Sequence, residues 1–303
     1  MSNTQLYAVQ TATASSDGQF SADQVDPTMV YNLPTGTSAV ANYQLNGETY
    51  LVAFNATNSS ATTFQAYDEK SGMYLIQVAT EKIDFGCAIV EPFYLAGQPM
   101  LICYDGSNSE YANFIQVADD FTLTSVYDAK IGEGNTTVKP FAWRYGVFFI
   151  AYNMNTGDVA KYQLSVPSSQ GLYAETVWTD GWAQGWTRFS FFQMGGENFF
   201  IKTNVKYNKV NVDHFMDGAD EPSHPVLNID APDQMRGLAA VSAFTDAKGF
   251  PYFATYRDTG EMTFNGIYGS VLGWDVESTV TAGAGLSVLN TFMIKDQNFT
   301  LVC

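Results

Sequence analysis

Histidine is nearly absent from this chain of 303 residues: His214 and His224 are its only two. Two cannot build a multi-histidine metal site, and no HExxH pair is present to seat a catalytic zinc. Cysteine is almost as scarce. There are 3, and an odd number opposes a disulfide framework. Positive charge is short as well, with 14 Lys and Arg against 31 Asp and Glu, for a net charge of −17. Phosphate backbones need basic neutralisation and anionic membranes repel such a surface, so nucleic acid and membrane are both disfavoured as partners. No apolar run reaches membrane-spanning length, and no heptad or helical periodicity extends beyond a turn or two. A GxSxG elbow and a phosphate-binding glycine loop are also missing, so neither a cofactor nor a resident metal is expected. The N-terminus has no basic segment followed by an apolar stretch, so no signal peptide is expected and a cytoplasmic protein is favoured.

What the chain does have is aromatic residues, 15% of the total, spaced with a period near 50. An aromatic stands ahead of a turn at Tyr43, Phe93, Phe141, Phe192, Phe244 and Phe292, in steps of 50, 48, 51, 52 and 48 residues. A fixed period of this length marks a repeat architecture. The clearest copies, YQLNGETYLVAF from Tyr43, FYLAGQPMLICY from Phe93 and FQMGGENFFIKT from Phe192, read as strand, tight turn, strand. Gly47, Gly97 and Gly196 share the turn slot, where hairpins need positive φ. A polar loop follows, then a third alternating strand such as Thr62–Tyr67, then a more variable fourth such as Tyr74–Val78.

The last copy is split. The chain ends on Leu301-Val302-Cys303, which matches the second strand of the other copies, and Thr4–Val9 supplies the missing third strand. A fourth is expected within Gly18–Val25 or Met29–Leu33. The expectation is an all-β, six-bladed β-propeller of four-stranded antiparallel blades, with the last blade closed by strands from both termini. As a single domain over 1–303, its blades fall near 37–84, 85–134, 135–182, 183–232, 233–282, and 283–303 plus 1–36. In period and closure the whole chain resembles the six-bladed β-propeller proteins. That resemblance implies either a sugar-binding lectin or an enzyme working at the channel mouth. It carries no binding residue with it: the WD pattern is missing, and the kelch-like Gly195-Gly196 occurs in one blade only.

Aligned copies serve as their own control. Three residues before the anchoring aromatic stand Val40, Val90, Val138, Phe189, Val241 and Leu289, all apolar, so this position faces the core. Two residues before it stand Ala41, Glu91, Lys139, Ser190, Ser242 and Asn290, all small or polar. Alternation turns this second set the other way, toward the channel wall. Four residues before it, Arg188 replaces the neutral Ala39, Ile89, Thr137, Ala240 and Val288. Arginine in such a place needs a partner, solvent or a ligand. The partner would be Glu91 across the channel or Asp180.

The same copy holds Trp186, and His214 on its third strand, while Trp178, Asp180 and Trp182 lie on the loop leading into it. It also holds Lys202, in a slot filled elsewhere by Ala53, Cys103, Ala151, Thr255 and Cys303. Local rules break where function or strain resides. The candidate ligand-binding set is therefore Arg188, Trp186, Trp182, Asp180, Glu91, Lys139, Lys202 and His214.

Asp105 with Glu110, and Asp217 with Asp220 and Glu221, lack the spacing of a calcium loop and read as solvated acidic turns. Cys103 and Cys303 read as free thiols in a small core slot, in preference to a Cys87–Cys103 bridge. The leading functional expectation is a non-catalytic, lectin-like monomer that binds carbohydrate or another small polar ligand. The alternatives are an enzyme (lyase, hydrolase or cyclase) with one site at the channel mouth near the fourth blade, and a protein-interaction scaffold.

Overall fold

The computed structural model describes residues 4–11, 29–69, 72–106, 109–144, 146–166, 171–204, 206–215, 223–230, 235–245, 250–268, 273–286, 289–294 and 297–302. Strands β1 (Thr4–Thr11) and β2 (Met29–Leu33) come first. Five runs of four consecutive strands follow. The first blade holds β3 (Thr37–Leu45), β4 (Glu48–Asn55), β5 (Ser60–Glu69) and β6 (Gly72–Lys82). The second holds β7 (Ile89–Leu95), β8 (Gln98–Tyr104), β9 (Tyr111–Val117) and β10 (Leu123–Lys130). The third holds β11 (Thr137–Trp143), β12 (Gly146–Tyr152), β13 (Asp158–Ser165) and β14 (Tyr173–Gly181). In the fourth are β15 (Trp186–Met194), β16 (Glu197–Asn204), β17 (Lys209–Phe215) and β18 (Ser223–Asp230). In the fifth are β19 (Leu238–Thr245), β20 (Pro251–Arg257), β21 (Glu261–Tyr268) and β22 (Gly273–Thr281).

Finally β23 (Leu289–Ile294) and β24 (Gln297–Val302) join the N-terminal strands in a sheet ordered β2-β1-β24-β23. Tyr7 pairs with Val302 and Thr11 with Asn298, so one sheet is built from both ends of the chain. The architecture is an all-β propeller of four-stranded antiparallel blades. The third strand expected over Thr4–Val9 forms over Thr4–Thr11, and of the two expected fourth strands Met29–Leu33 forms. Residues 18–25 lie outside the described residues.

The repeating aromatic has a structural cause. Each anchor stands directly opposite a second-strand residue: Tyr43 on Tyr50, Phe141 on Phe148, Phe192 on Phe199, Phe244 on Tyr252 and Phe292 on Phe299. All five pairs stack, with ring centroids 5.5–6.1 Å apart. In the second blade Phe93 faces Met100 instead. Cross-strand aromatic pairs each add about 0.5–1.5 kcal/mol beyond the area they bury, so each of these five hairpins carries its own clasp. Two residues beyond the anchor the chain must reverse in a two-residue loop. Asn46-Gly47 (φ 53° and 81°) and Ala96-Gly97 (51° and 81°) are left-handed at both positions, as a type I′ turn requires.

The core lies between blades. One apolar cluster joins Tyr43, Phe54 and Val52 to Leu101 and Ile115 of the next blade, and another joins Phe114 to Phe149 and Tyr162. Similar clusters bridge every later neighbouring pair and return from the terminal sheet to the first blade through Phe292, Phe299, Val40 and Leu51. The innermost strands touch in the order β3, β7, β11, β15, β19, β23 and back to β3. Burying rings such as Phe54, Phe114 and Phe200 contributes about 1.5–3 kcal/mol each.

Polar latches hold the connecting segments. Tyr104 Oη donates to Gly132 O at 2.9 Å, and Tyr152 Oη donates to Ala183 O at 2.7 Å. Each pins the loop that leads into the next first strand. A second repeat, not singled out in the sequence, runs beside the aromatic one. A Cβ on Gly36, Gly134 or Gly185 would come within 3.0 Å of the side chain of Asn55, Asn153 or Asn204, and on Gly86 within 2.8 Å of Asp105. Asn55 and Asn204 use their amides to bind Thr35 O and Gln184 O, at 2.6 and 2.8 Å. Glycine is required because the Asn side chain occupies the space above it.

Two sequence readings change. Cys87 and Cys103 form a disulfide, with Cα atoms 4.9 Å apart, so Cys103 is not a free thiol. The first hairpin of the second blade continues one bond past β7, Ala88 N donating to Tyr104 O at 3.1 Å, and this carries Cys87 over Cys103. The third cysteine, Cys303, lies outside the described residues. His224, whose place between Ser223 and Pro225 in the sequence suggests a solvated loop, belongs instead to strand β18, where it pairs with His214 in register.

Candidate functional site

The first strands of all six sheets enclose a cavity of about 360 Å³ at the mouth where those strands begin. Val40, Val90, Val138, Phe189, Val241 and Leu289 are buried at its wall, as the alignment of copies requires. The polar position next along each strand stitches neighbouring strands together. Glu91 of β7 forms an ion pair with Lys139 of β11. Ser190 Oγ accepts a hydrogen bond from Ala243 N at 2.7 Å, Ser242 Oγ lies 2.8 Å from Thr291 Oγ1, and Asn290 Nδ2 donates to Val40 O at 3.0 Å. Along this wall the position is charged in the second and third blades and neutral polar from the fourth onward, while the first blade places buried Ala41 there.

Glu91 and Lys139 are half-buried, their side chains 19% and 25% exposed. Burial raises the Glu91 pKa above the ordinary 4.5, and the charge and hydrogen bond of Lys139 hold that rise back in part. A carboxylate made more basic by burial, beside an ammonium group, can take a proton from water.

Arg188 lines the same mouth. It stands in a β-bulge, where the pairing of β15 with β16 slips between Thr187 and Ser190, and its backbone is left-handed at φ 55°. Bulges re-aim side chains, and a non-glycine residue in this region stores strain of about 1–3 kcal/mol. Its Nε donates to Leu238 O at 3.2 Å, bridging the fourth and fifth blades. The side chain stays accessible to water in the cavity. The surrounding protein lowers its pKa by desolvation, an effect opposed by the charge of Asp258. Neither partner expected from the sequence is found: Glu91 pairs with Lys139, and Asp180 is exposed on the outermost strand β14, where its carboxylate accepts from Gly181 N at 2.7 Å.

The remaining sequence candidates lie elsewhere. Lys202 is buried between the third and fourth blades, its Nζ 2.7 Å from Asp213 and 3.8 Å from the centre of the Trp182 ring. Trp186 and Phe200 complete the aromatic surround. Burial lowers the Lys202 pKa and Asp213 opposes that shift. Trp182 stacks on Phe189 and Phe200, so its ring belongs to this interface. His214 stacks on Phe199 at 4.8 Å and meets Glu197 at 3.2 Å, away from the cavity. A second buried lysine, Lys161, was not distinguished in the sequence. It sits over the Trp143 and Phe148 rings, and burial lowers its pKa. Among the described residues, no three His, Cys, Asp or Glu side chains gather to hold a metal ion. Glu110 is engaged by Lys130 at 2.7 Å, and Asp217, Asp220 and Glu221 lie outside the described residues.

The opposite mouth differs in kind. A cavity of about 380 Å³ there is lined by Tyr43, Phe93, Tyr94, Phe244 and Phe292 with neutral polar neighbours and no charged side chain. Among the described residues that line these two cavities, the charged side chains are all at the mouth that holds Glu91, Lys139 and Arg188.

No family model matches the chain, and no curated protein matches it. Solved structures do. The periplasmic gluconolactonase PpgL of Pseudomonas aeruginosa is similar at 14% identity and a TM-score of 0.55, with 94% of this chain and 85% of that one covered. A proposed 6-phosphogluconolactonase of Bacteroides fragilis is similar at 13% identity and a TM-score of 0.54, covering 94% and 84%. One from Bacteroides uniformis is similar at 14% and 0.54, covering 95% and 86%. At such identities the likeness shows the fold. It also turns against one expectation: these three neighbours are described as lactonases, not as non-catalytic, lectin-like proteins. The charged groups of the cavity occur once and are not repeated from blade to blade.

Proposed function

We propose that the chain is a hydrolase that opens a small cyclic ester at the charged mouth of the channel. The observation that carries this reading is the Glu91–Lys139 ion pair facing a cavity it shares with Arg188. Glu91, its pKa raised by burial, takes a proton from a water molecule. The water oxygen adds to the lactone carbonyl carbon, and Lys139 stabilises the negative charge that gathers on the carbonyl oxygen. Collapse breaks the ring C–O bond. The departing ring oxygen takes the proton back from Glu91 and leaves as a hydroxyl, so the product is an open hydroxy acid that ionises and releases one proton. The lactonase descriptions of proteins sharing the fold support the reading.

The ring that carries this site is proposed to be closed: one domain over 1–303, with six blades and the last shared between the termini. The sheet ordered β2-β1-β24-β23 and the return of β23 contacts to β3 support that count. Proton release from glucono-δ-lactone, followed by pH-stat, tests the activity. Glu91→Gln and Lys139→Met should each lower kcat/KM by roughly 100-fold or more, the order expected for losing a general base or an oxyanion donor. Equal rates in the parent and Glu91→Gln would refute this assignment.

A further inference from the structure

The charges in the cavity do not balance, and the imbalance bears on what the substrate carries. This inference rests on the lactone reading above. Glu91 and Lys139 neutralise one another. Arg188 gives its Nε to Leu238 O, and among the described residues no acceptor engages its terminal Nη1 and Nη2 atoms. Asp258 acts on it through charge, without an ion pair. The bulges in β3 and β19 fall one residue earlier relative to the anchoring aromatic and hold no residue with positive φ, so among the first strands the left-handed backbone at Arg188 is particular to β15. The strain aims an unfilled, planar pair of donors into a cavity that already contains a base.

We propose that Arg188 anchors a carboxylate that the substrate carries apart from its lactone ring, so that the preferred substrate is a lactone of a dicarboxylic sugar acid or a similar carboxylated ring. The guanidinium edge matches a carboxylate with two parallel hydrogen bonds. A neutral lactone leaves that edge unused. A dianionic phosphate would meet a single uncompensated cation, the nearby Glu91 carboxylate and the field of a protein with net charge −17. One surplus positive charge suits one negative charge.

Three probes separate the cases: glucono-δ-lactone, which is neutral; its 6-phosphate; and glucaro-1,4-lactone, which bears a free carboxylate. The expected result is the highest kcat/KM for glucaro-1,4-lactone. Arg188→Met should lower that value roughly 10- to 100-fold more than the value for the neutral lactone, chiefly through KM, the range expected for losing hydrogen bonds to a charged group. Preference for the phosphorylated or neutral probe would overturn the inference while leaving the lactonase reading intact. An equal loss on all three probes would overturn it too, by assigning Arg188 to the reaction itself. If the parent hydrolyses none of them, the lactonase reading fails, and calorimetric titration of the same three lactones still decides the anchor. Selective binding of glucaro-1,4-lactone that Arg188→Met abolishes supports it, and no selective binding overturns it.

Discussion

Replacing Arg188 by glycine should separate stability from function, and the balance can be worked from the structure. Two effects oppose one another. Glycine occupies φ 55° without the Cβ clash that arginine suffers, a gain of about 1–2 kcal/mol. Against it, the bond from Nε to Leu238 O is lost and the unfolded chain gains freedom, together about 1–2 kcal/mol. Because the side chain stands in a water-accessible cavity, no buried charge is orphaned, and the Leu238 carbonyl can turn to solvent. The net change should stay within about 1 kcal/mol. For a chain of 303 residues the entropy of unfolding makes 1 kcal/mol worth only about 1.6 °C in Tm. Arg188→Ala keeps the left-handed strain and loses the bond, so it should be less stable than Arg188→Gly by about 0.5–1 kcal/mol. Urea titration monitored by tryptophan fluorescence gives the ordering, and lactone hydrolysis gives the function: both variants should lose far more kcat/KM on glucaro-1,4-lactone than on glucono-δ-lactone. A loss above about 3 kcal/mol in Arg188→Gly would mean that the guanidinium is a structural tie. Greater stability of alanine over glycine would refute the strain argument.

Other consequences can be checked separately. Lys202→Met leaves Asp213 buried without its ammonium and should cost about 3–5 kcal/mol, while the double variant with Asp213→Asn should recover much of that loss; full additivity in the cycle would refute the pairing. Cys87→Ser opens a loop spanned by a sequence separation of 16 and should cost about 3 kcal/mol, and native protein should resist alkylation at Cys103 until reduced. Deleting Met1–Thr11 removes the strand between β2 and β24 and should give aggregation or loss of cooperative unfolding. A truncated monomer melting at the parent temperature would sink the shared sheet. The raised pKa of Glu91 has opposite signs for activity and stability. Its base form is needed, so kcat/KM should rise with pH through a midpoint above 4.5. The same group contributes stability that is complete below 4.5 and lost as pH rises through its folded value. Glu91→Gln should flatten both.

The propeller was legible in the sequence because its cause is local and repeated. Each anchoring aromatic needs a cross-strand partner and a turn at a fixed distance, so the 50-residue spacing is the imprint of one hairpin copied along the chain. The split final copy followed from the same phase. The charged channel residues Glu91 and Lys139 were also legible, since strand alternation alone sets them opposite the core. Arg188 stood out as the exception in its column.

What the sequence could not supply was distance between blades. Asp180 and Trp182 are neighbours of Arg188 along the chain, yet one sits on an outer edge strand and the other in a blade interface. Lys202 broke the pattern of its column and proved to be a buried ion pair. The disulfide was hidden because an odd cysteine count cannot reveal that one hairpin runs a bond further than its strand pattern suggests. Alternation and period depend on covalent spacing, which the sequence determines directly. Which charges meet depends on how separate sheets pack around a shared axis, and only the tertiary structure decides that.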